Sequence, residues 1–247
     1  MQEFILDIPT DAVTLAEAVA WAQEKLSQKR PHFIASVNPE ICLSARRNST
    51  LQAALLAADL RIPDGIGIVL ASRLCGGQIR ERVTGIDLME ELVALAAAEG
   101  KKVFLFGAAE GVATAAASKL KERYPSLLVA GTAHGYLPQA ADEEIACDIA
   151  ASGADMVFVA LGSPRQELFV AKHGAASGAK LLMVVGGSFD VLSGRLKRAP
   201  LLYQRLGLEW FYRLIQQPKR ILRVRIMPAF LAAVTQQRLF TSGRRQC

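Results

Sequence analysis

The feature that most constrains this chain is a set of short, uninterrupted apolar runs. They are "HFIASV" (32–37), "KVFLFG" (102–107), "DMVFVALG" (155–162) and "KLLMVVGG" (180–187), with "LLVAGT" (127–132) and the shorter "LRIP" (60–63) between them. Runs without polar alternation fit strands buried on both faces, as in a parallel sheet covered by helices. Helical patterns fill the gaps. Thr14-Leu15-Ala16-Glu17 is a capping box opening a helix to about Gln28. Pro39 suits a first helical turn, where its missing N–H costs nothing. Thr84 and Asp87 cap a helix that Gly100 closes, and further helical stretches lie near 110–123, 139–151 and 164–175.

This alternation of strand and helix predicts an α/β fold: a Rossmann-like, mostly parallel sheet flanked by helices. After Gly194 the pattern changes to helical, basic and aromatic segments with no strand between them. The expected organisation is therefore a core over 1–194 and a basic helical C-terminal appendage over 195–247. Charge divides at the same place. Residues 1–194 carry 17 basic and 22 acidic groups, whereas 195–247 carry 12 basic groups and one acid, Glu209, a net +11. Such a tail seeks anions: ligand phosphates, an acidic membrane surface or nucleic acid.

With 51% hydrophobic residues the chain can close a large core. The four cysteines form no CxxC pair, so neither a zinc site nor a disulfide framework is expected, and a reducing cytoplasm fits. The first residues carry acids where a signal peptide needs basic charge, and export is not expected. The apolar run "IMPAFLAAV" (226–234) is too short to cross a bilayer but long enough to touch one.

Open parallel sheets bind ligands beyond the carboxyl ends of their strands, so the turns there are the candidate sites. In "SVNPE", Ser36 and Asn38 can bond a ligand, or Asn38 can simply cap the next helix. In "IPDGIGIV", Asp64 is either a helix cap or a general base, and Gly65 and Gly67 lack the third glycine of a dinucleotide fingerprint. "LFGAAEGVA" leaves room for a phosphate or base near Gly107 and Gly111. In "ALGSPRQE", Ser163 as cap, Pro164 at the first position and Gln166 at the third form a capping box, which leaves Arg165 unexplained. In "VGGSFDVLSGRLKRAP", two glycines let backbone approach a ligand, and Asp190 caps or binds.

A carboxylate at one strand end and an arginine-rich tail suit transfer from a sugar nucleotide. The acceptor hydroxyl needs a base and the departing diphosphate needs positive charge. The sequence contains no DxD pair to recruit a metal, so arginines would stabilise the leaving group. Arg213, Arg220 and Arg223 share one helical face if the helix continues past Pro218.

Taken together, "SVNPE", "IPDGIGIV", "RVTGIDLMEEL", "VFLFGAAEGVA", "ALGSPRQELF", "VVGGSFDVLSGRLKRAP" and "LGLEWFYRLIQQPKRILR" resemble, in order, the WecG/TagA/CpsF family of bacterial glycosyltransferases. The resemblance implies a metal-independent inverting transferase with no cofactor, peripheral on the cytoplasmic face of the membrane. It would move an N-acetylmannosamine-type sugar from UDP to a GlcNAc-diphosphate-undecaprenyl lipid in teichoic acid, common antigen or capsule synthesis. It implies Asp64 as the base, with Ser36, Asn38, Arg82 and Gln166 as pocket residues. Ser36 stands where teichoic-acid members have threonine. Arg213, Arg220 and Arg223 match appendage arginines that close over the site and bind the diphosphate. An anionic membrane surface and a homodimer through the core are the further partners implied. "ILDIPTDAVTLAEAV" is more similar to the teichoic-acid members, whereas a uronic-acid donor would share every other motif.

Two readings from other classes compete. An NAD-dependent or nucleotide-binding protein needs GxGxxG and a ribose-binding acid in order, and neither is present. For nucleic-acid binding, the few tail aromatics offer little stacking surface and no recognisable motif is present, so no nucleic-acid partner is expected. His32, His134 and His173 do not cluster, and no metal site is expected.

Overall fold

The fold is given by a computed structural model, which describes residues 1–205, 207–216 and 226–244. The chain begins with β1 (Gln2–Ile5), β2 (Ile8–Asp11), α1 (Leu15–Leu26), β3 (His32–Val37), α2 (Pro39–Ala45), α3 (Ser49–Leu56) and β4 (Leu60–Pro63). There follow α4 (Ile66–Leu74), α5 (Gly85–Glu99), β5 (Lys102–Gly107), α6 (Val112–Arg123), β6 (Leu128–Ala133), α7 (Asp142–Ser152) and β7 (Met156–Ala160). The described chain closes with α8 (Arg165–His173), β8 (Leu181–Val184), α9 (Ser188–Leu192), α10 (Leu201–Arg205), α11 (Glu209–Gln216) and α12 (Ile226–Arg244).

Strands β3 to β8 form one sheet in the order β4-β3-β8-β7-β5-β6, with every neighbouring pair parallel. Five of the six are buried end to end apart from Lys102, which explains their unbroken apolar sequences. The exception is the edge strand β6, which is only half-buried. Side chains alternate between two cores. Phe33, Ala35 and Val37 face α2, α3, α4, α7, α8 and α12, while Ile34 faces α1, α5, α6 and α9.

The adjacent strands β3 and β8 therefore send their following helices, α2 and α9, to opposite faces. That divergence opens a crevice at the carboxyl end of the sheet, a topological switch point. Register does the rest. Ser36 lies opposite Ile62 and Val37 opposite Pro63, so Asn38 and Asp64 leave the sheet side by side.

The sequence pattern did not show the hairpin β1–β2, which pairs Gln2 with Asp11 and Ile5 with Ile8. Its two-residue turn, Leu6-Asp7, has φ of 49° and 68° without the glycine or asparagine that normally marks such a turn. Asp11 Oδ2 accepts the Arg61 N–H at 2.8 Å, so the hairpin covers the β4 edge.

The apolar run 226–234 begins α12 and turns one face inward, with Pro228, Ala229 and Ala232 exposed on the other. Phe230 and Val234 are fully buried in the core cluster shared with α2 and α4. Gln237 then bonds the hairpin, accepting from the Leu6 N–H at 2.9 Å and donating to the Phe4 carbonyl at 3.1 Å. Among the described residues, no helix is long and apolar enough to cross a membrane.

Candidate active site

A cavity of about 680 Å³ occupies the crevice. It is bordered by the N-terminal ends of α2, α4, α5 and α9, with Glu209, Trp210 and Leu214 of α11 and Ile226 and Met227 of α12 along its outer wall. Converging helix N-termini present unsatisfied N–H groups and positive dipole ends, which suit an anionic ligand.

Ser36 and Asp64 meet at the start of α5. A Cβ placed on Gly85 would lie 3.2 Å from Ser36 Oγ and 4.0 Å from Asp64 Oδ2, so the glycine keeps this corner open. Thr84, just before it, accepts from the Asp87 N–H at 3.2 Å, the cap expected from the sequence. Asp64 is not the cap of α4. That position belongs to Gly65 at φ 100°, and no side chain caps the helix. The Asp64 backbone N–H donates to the Val37 carbonyl at 2.8 Å, which pins the residue to the end of β3, and it lines the cavity.

The two glycines after Asp64 have separate reasons. Gly65 adopts a backbone conformation that other residues resist. Gly67 allows close packing, because a Cβ there would meet Pro39 Cγ at 2.5 Å and Met227 Cε at 3.1 Å. Neither position forms a dinucleotide loop.

Asn38 caps α2, its Oδ1 accepting from the Ile41 N–H at 3.0 Å, and it also lines the cavity. Its amide N–H groups are what it can offer a ligand. Arg82 borders the cavity as well, but its guanidinium is engaged. Nη1 pairs with Glu209 and Nη2 donates to the Gln204 carbonyl at 2.7 Å, so it fastens the appendage to the core.

Gln166 does not complete the expected capping box. Helix α8 starts at Arg165, Pro164 holds the cap position, and no side chain caps it. Gln166 Oε1 instead accepts from the N–H groups of Gly162 and Gly186, both at 3.2 Å, while its Nε2 donates to Glu167 Oε1 at 2.8 Å. It thereby ties together the loops after β7 and β8. Arg165, unexplained by sequence, donates to the Gly135 carbonyl and to Asp142 Oδ1, both at 2.7 Å.

The turn after β5 does not line the cavity. A Cβ on Gly107 would lie 2.4 Å from the Ala160 carbonyl, so this glycine serves strand packing. Arg213 lies on α11, and its side chain is outside the description. Arg220 and Arg223 fall outside the described residues altogether. Arg198 is held by Asp87, by Glu90 at 3.5 Å and by Glu209 at 3.9 Å. Burial works against its charge, but those three carboxylates outweigh it and raise the pKa above its ordinary value.

Sequence reasoning missed Glu209 and Glu167 as parts of the site. Both sit inside quoted motifs, but only the folded chain shows which cation or amide each meets. Among the described residues, no cluster of His, Cys, Asp and Glu could hold a metal.

The sequence profile of the glycosyl transferase WecG/TagA/CpsF family matches residues 4–244. An N-acetylglucosaminyldiphosphoundecaprenol N-acetyl-beta-D-mannosaminyltransferase of Bacillus spizizenii is 41% identical over 209 residues, covering 85% of this chain and 80% of its own. The enzyme of the same description from Bacillus subtilis strain 168 is 36% identical over 236 residues, covering 95% and 91%. A crevice at the carboxyl end of a parallel sheet, relatives 36–41% identical over most of the sequence and a profile match over residues 4–244 lead to one assignment: the chain belongs to the WecG/TagA/CpsF family of glycosyl transferases.

Proposed function

We propose that this chain transfers N-acetyl-D-mannosamine, with inversion, from UDP-N-acetylmannosamine to N-acetylglucosaminyl-diphospho-undecaprenol in surface-polymer synthesis of the teichoic acid type. The observation that carries this reading is the convergence of Asp64, Ser36 and the start of α5 in one cavity. The described activity of the two Bacillus relatives supports it.

In the reaction, Asp64 accepts the proton of the acceptor hydroxyl as its oxygen attacks the anomeric carbon, and the sugar–phosphate bond breaks on the opposite face. Negative charge then grows on the departing UDP. Helix N-termini around the cavity stabilise that charge, joined by Arg213, Arg220 and Arg223 of the appendage. Ser36, Asn38 and Gln166 orient the sugar. Neither a metal nor an organic cofactor is invoked, in keeping with the lack of a DxD pair.

The appendage, 195–247, serves membrane contact and closure of the site on the inner face of the membrane. Exposed Leu201, Leu202, Trp210, Phe211 and Ile215 on α10 and α11 support this, since apolar burial and lipid attraction for the basic tail add together. A homodimer through the core remains part of the reading.

The test is UDP release with a short-chain GlcNAc-diphosphate lipid, offering UDP-N-acetylmannosamine and its uronic acid counterpart separately. Turnover with the first and not the second is expected, and the reverse selectivity would move the chain to a common-antigen type of donor. Asp64→Asn should reduce turnover by about 10²–10⁴-fold with the fold intact. Wild-type turnover in that variant removes Asp64 as the base.

A further inference from the structure

Glu167 has no part in the mechanism above, yet it is fully buried beside the cavity. One carboxyl oxygen, Oε1, accepts from Gln166 Nε2 at 2.8 Å, and the other, Oε2, is buried with no hydrogen-bond partner. Burial pushes this carboxyl above its ordinary value of 4.5, and the hydrogen bond from the Gln166 amide only partly offsets that. Burying a carboxyl is costly unless it serves a hydrogen-bond partner. Something other than packing accounts for an acid at this position.

The hydrogen-bond inventory of Gln166 shows what. A primary amide has two acceptor lone pairs and two N–H donors. The Gly162 and Gly186 N–H groups occupy both lone pairs, and Glu167 takes one N–H. Gln166 is itself buried but lines the cavity, so a single N–H is what it can present to a ligand. It can therefore meet an acceptor oxygen and not a hydroxyl proton.

We propose that Glu167 is a positioning residue, which holds the Gln166 amide so that its remaining N–H is aimed at an acceptor oxygen of the bound sugar nucleotide. The inference rests on the glycosyl transfer proposed above. Both ends of the amide must be held for this to work. Without the Glu167 acceptor, the buried NH₂ group has to turn toward water in the cavity, and that rotation releases the Gly162 and Gly186 N–H groups. The loops after β7 and β8, which floor the cavity, are then no longer clamped together.

The experiment compares Glu167→Met with Glu167→Gln in the whole chain, with Glu167→Leu as the second apolar variant should methionine fail to fold. Three quantities are read: the melting temperature, hydrogen exchange at the Gly162 and Gly186 amides, and kcat and KM for UDP release. In the folded apolar variant, exchange at both glycines rises about tenfold or more and kcat falls about tenfold or more, with KM changing less. Glu167→Gln keeps an acceptor oxygen and restores both readings to within about threefold of wild type. Wild-type exchange or wild-type kcat in the apolar variant overturns the inference, as does a Glu167→Gln protein impaired to the same extent. Should the wild-type chain not turn over with this donor and acceptor, the proposed reaction fails on its own, and the exchange measurements still decide the role of Glu167.

Discussion

Arg82 and Glu209 are bound to each other across 127 positions of sequence, joining the loop before α5 to the first turn of α11. The Gln204 carbonyl takes a second N–H of the same guanidinium. Gly207 presses on α4 nearby, where a Cβ would lie 2.9 Å from Ile66 Cβ. Among the described residues, the segment at the cavity's outer wall is thus held to the core by this partly buried ion pair, by the Arg198 pairs with Asp87 and Glu90, and by a close backbone contact.

Among the described residues, Arg82→Ala leaves Glu209 only the more distant Arg198, so α11 should detach more often. Limited proteolysis within 195–216 is expected to speed up several-fold, while the melting temperature changes little. A stability loss spread over the whole chain would show instead that the ion pair supports the core itself.

Gly85→Ala separates folding from function. The position has no left-handed backbone, and alanine favours a helix by up to about 1 kcal/mol over glycine. The melting temperature should therefore hold or rise slightly. The added Cβ crowds Ser36 Oγ at the open corner of the cavity, so kcat/KM should fall about tenfold. Unchanged kcat/KM would mean that substrate does not approach this corner.

Phe230→Ala should destabilise the chain by about 3–5 kcal/mol, as expected for emptying a fully buried aromatic site. Denaturant unfolding measures it. A cost under about 1 kcal/mol would mean that α12 is a loosely attached element and not a part of the core.

The Glu167 carboxyl gives stability a pH dependence of definite sign. Its folded pKa lies above the ordinary 4.5, so the folded state binds more protons than the unfolded state in the window that begins at 4.5 and ends at the raised value. Stability from this group is complete below 4.5 and is lost as pH rises through the folded pKa. Glu167→Gln removes the titration, so its stability relative to wild type should increase with pH across that window. A pH-independent difference would show that the carboxyl is not perturbed in solution.

Much of the fold was legible because the sheet is buried on both faces. β3, β4 and β5 have the limits that their apolar runs define, and β6 is displaced by one residue. The β1–β2 hairpin was illegible because Leu6 and Asp7 adopt left-handed turns that their side chains do not advertise. In the site, Asn38 and Thr84 could be read as caps because capping is local. Arg82 and Gln166 could not, because their partners, Glu209 and the Gly186 N–H, come from distant sequence. Composition likewise identified a basic appendage but could not show that Phe230 and Val234 turn inward or that Arg198 pairs with core carboxylates.

The bonds from Gln237 to Phe4 and Leu6 carry a consequence for biosynthesis. A ribosome makes the hairpin first and α12 more than 200 residues later, so the seat for Phe230 and Val234 on α2 and α4 stays bare through most of translation. The nascent chain must shelter that greasy surface until α12 emerges. Truncations a short way into α12 should accumulate as aggregates or as chaperone-bound species, even though Ser36, Asp64 and Gly85 have already been made.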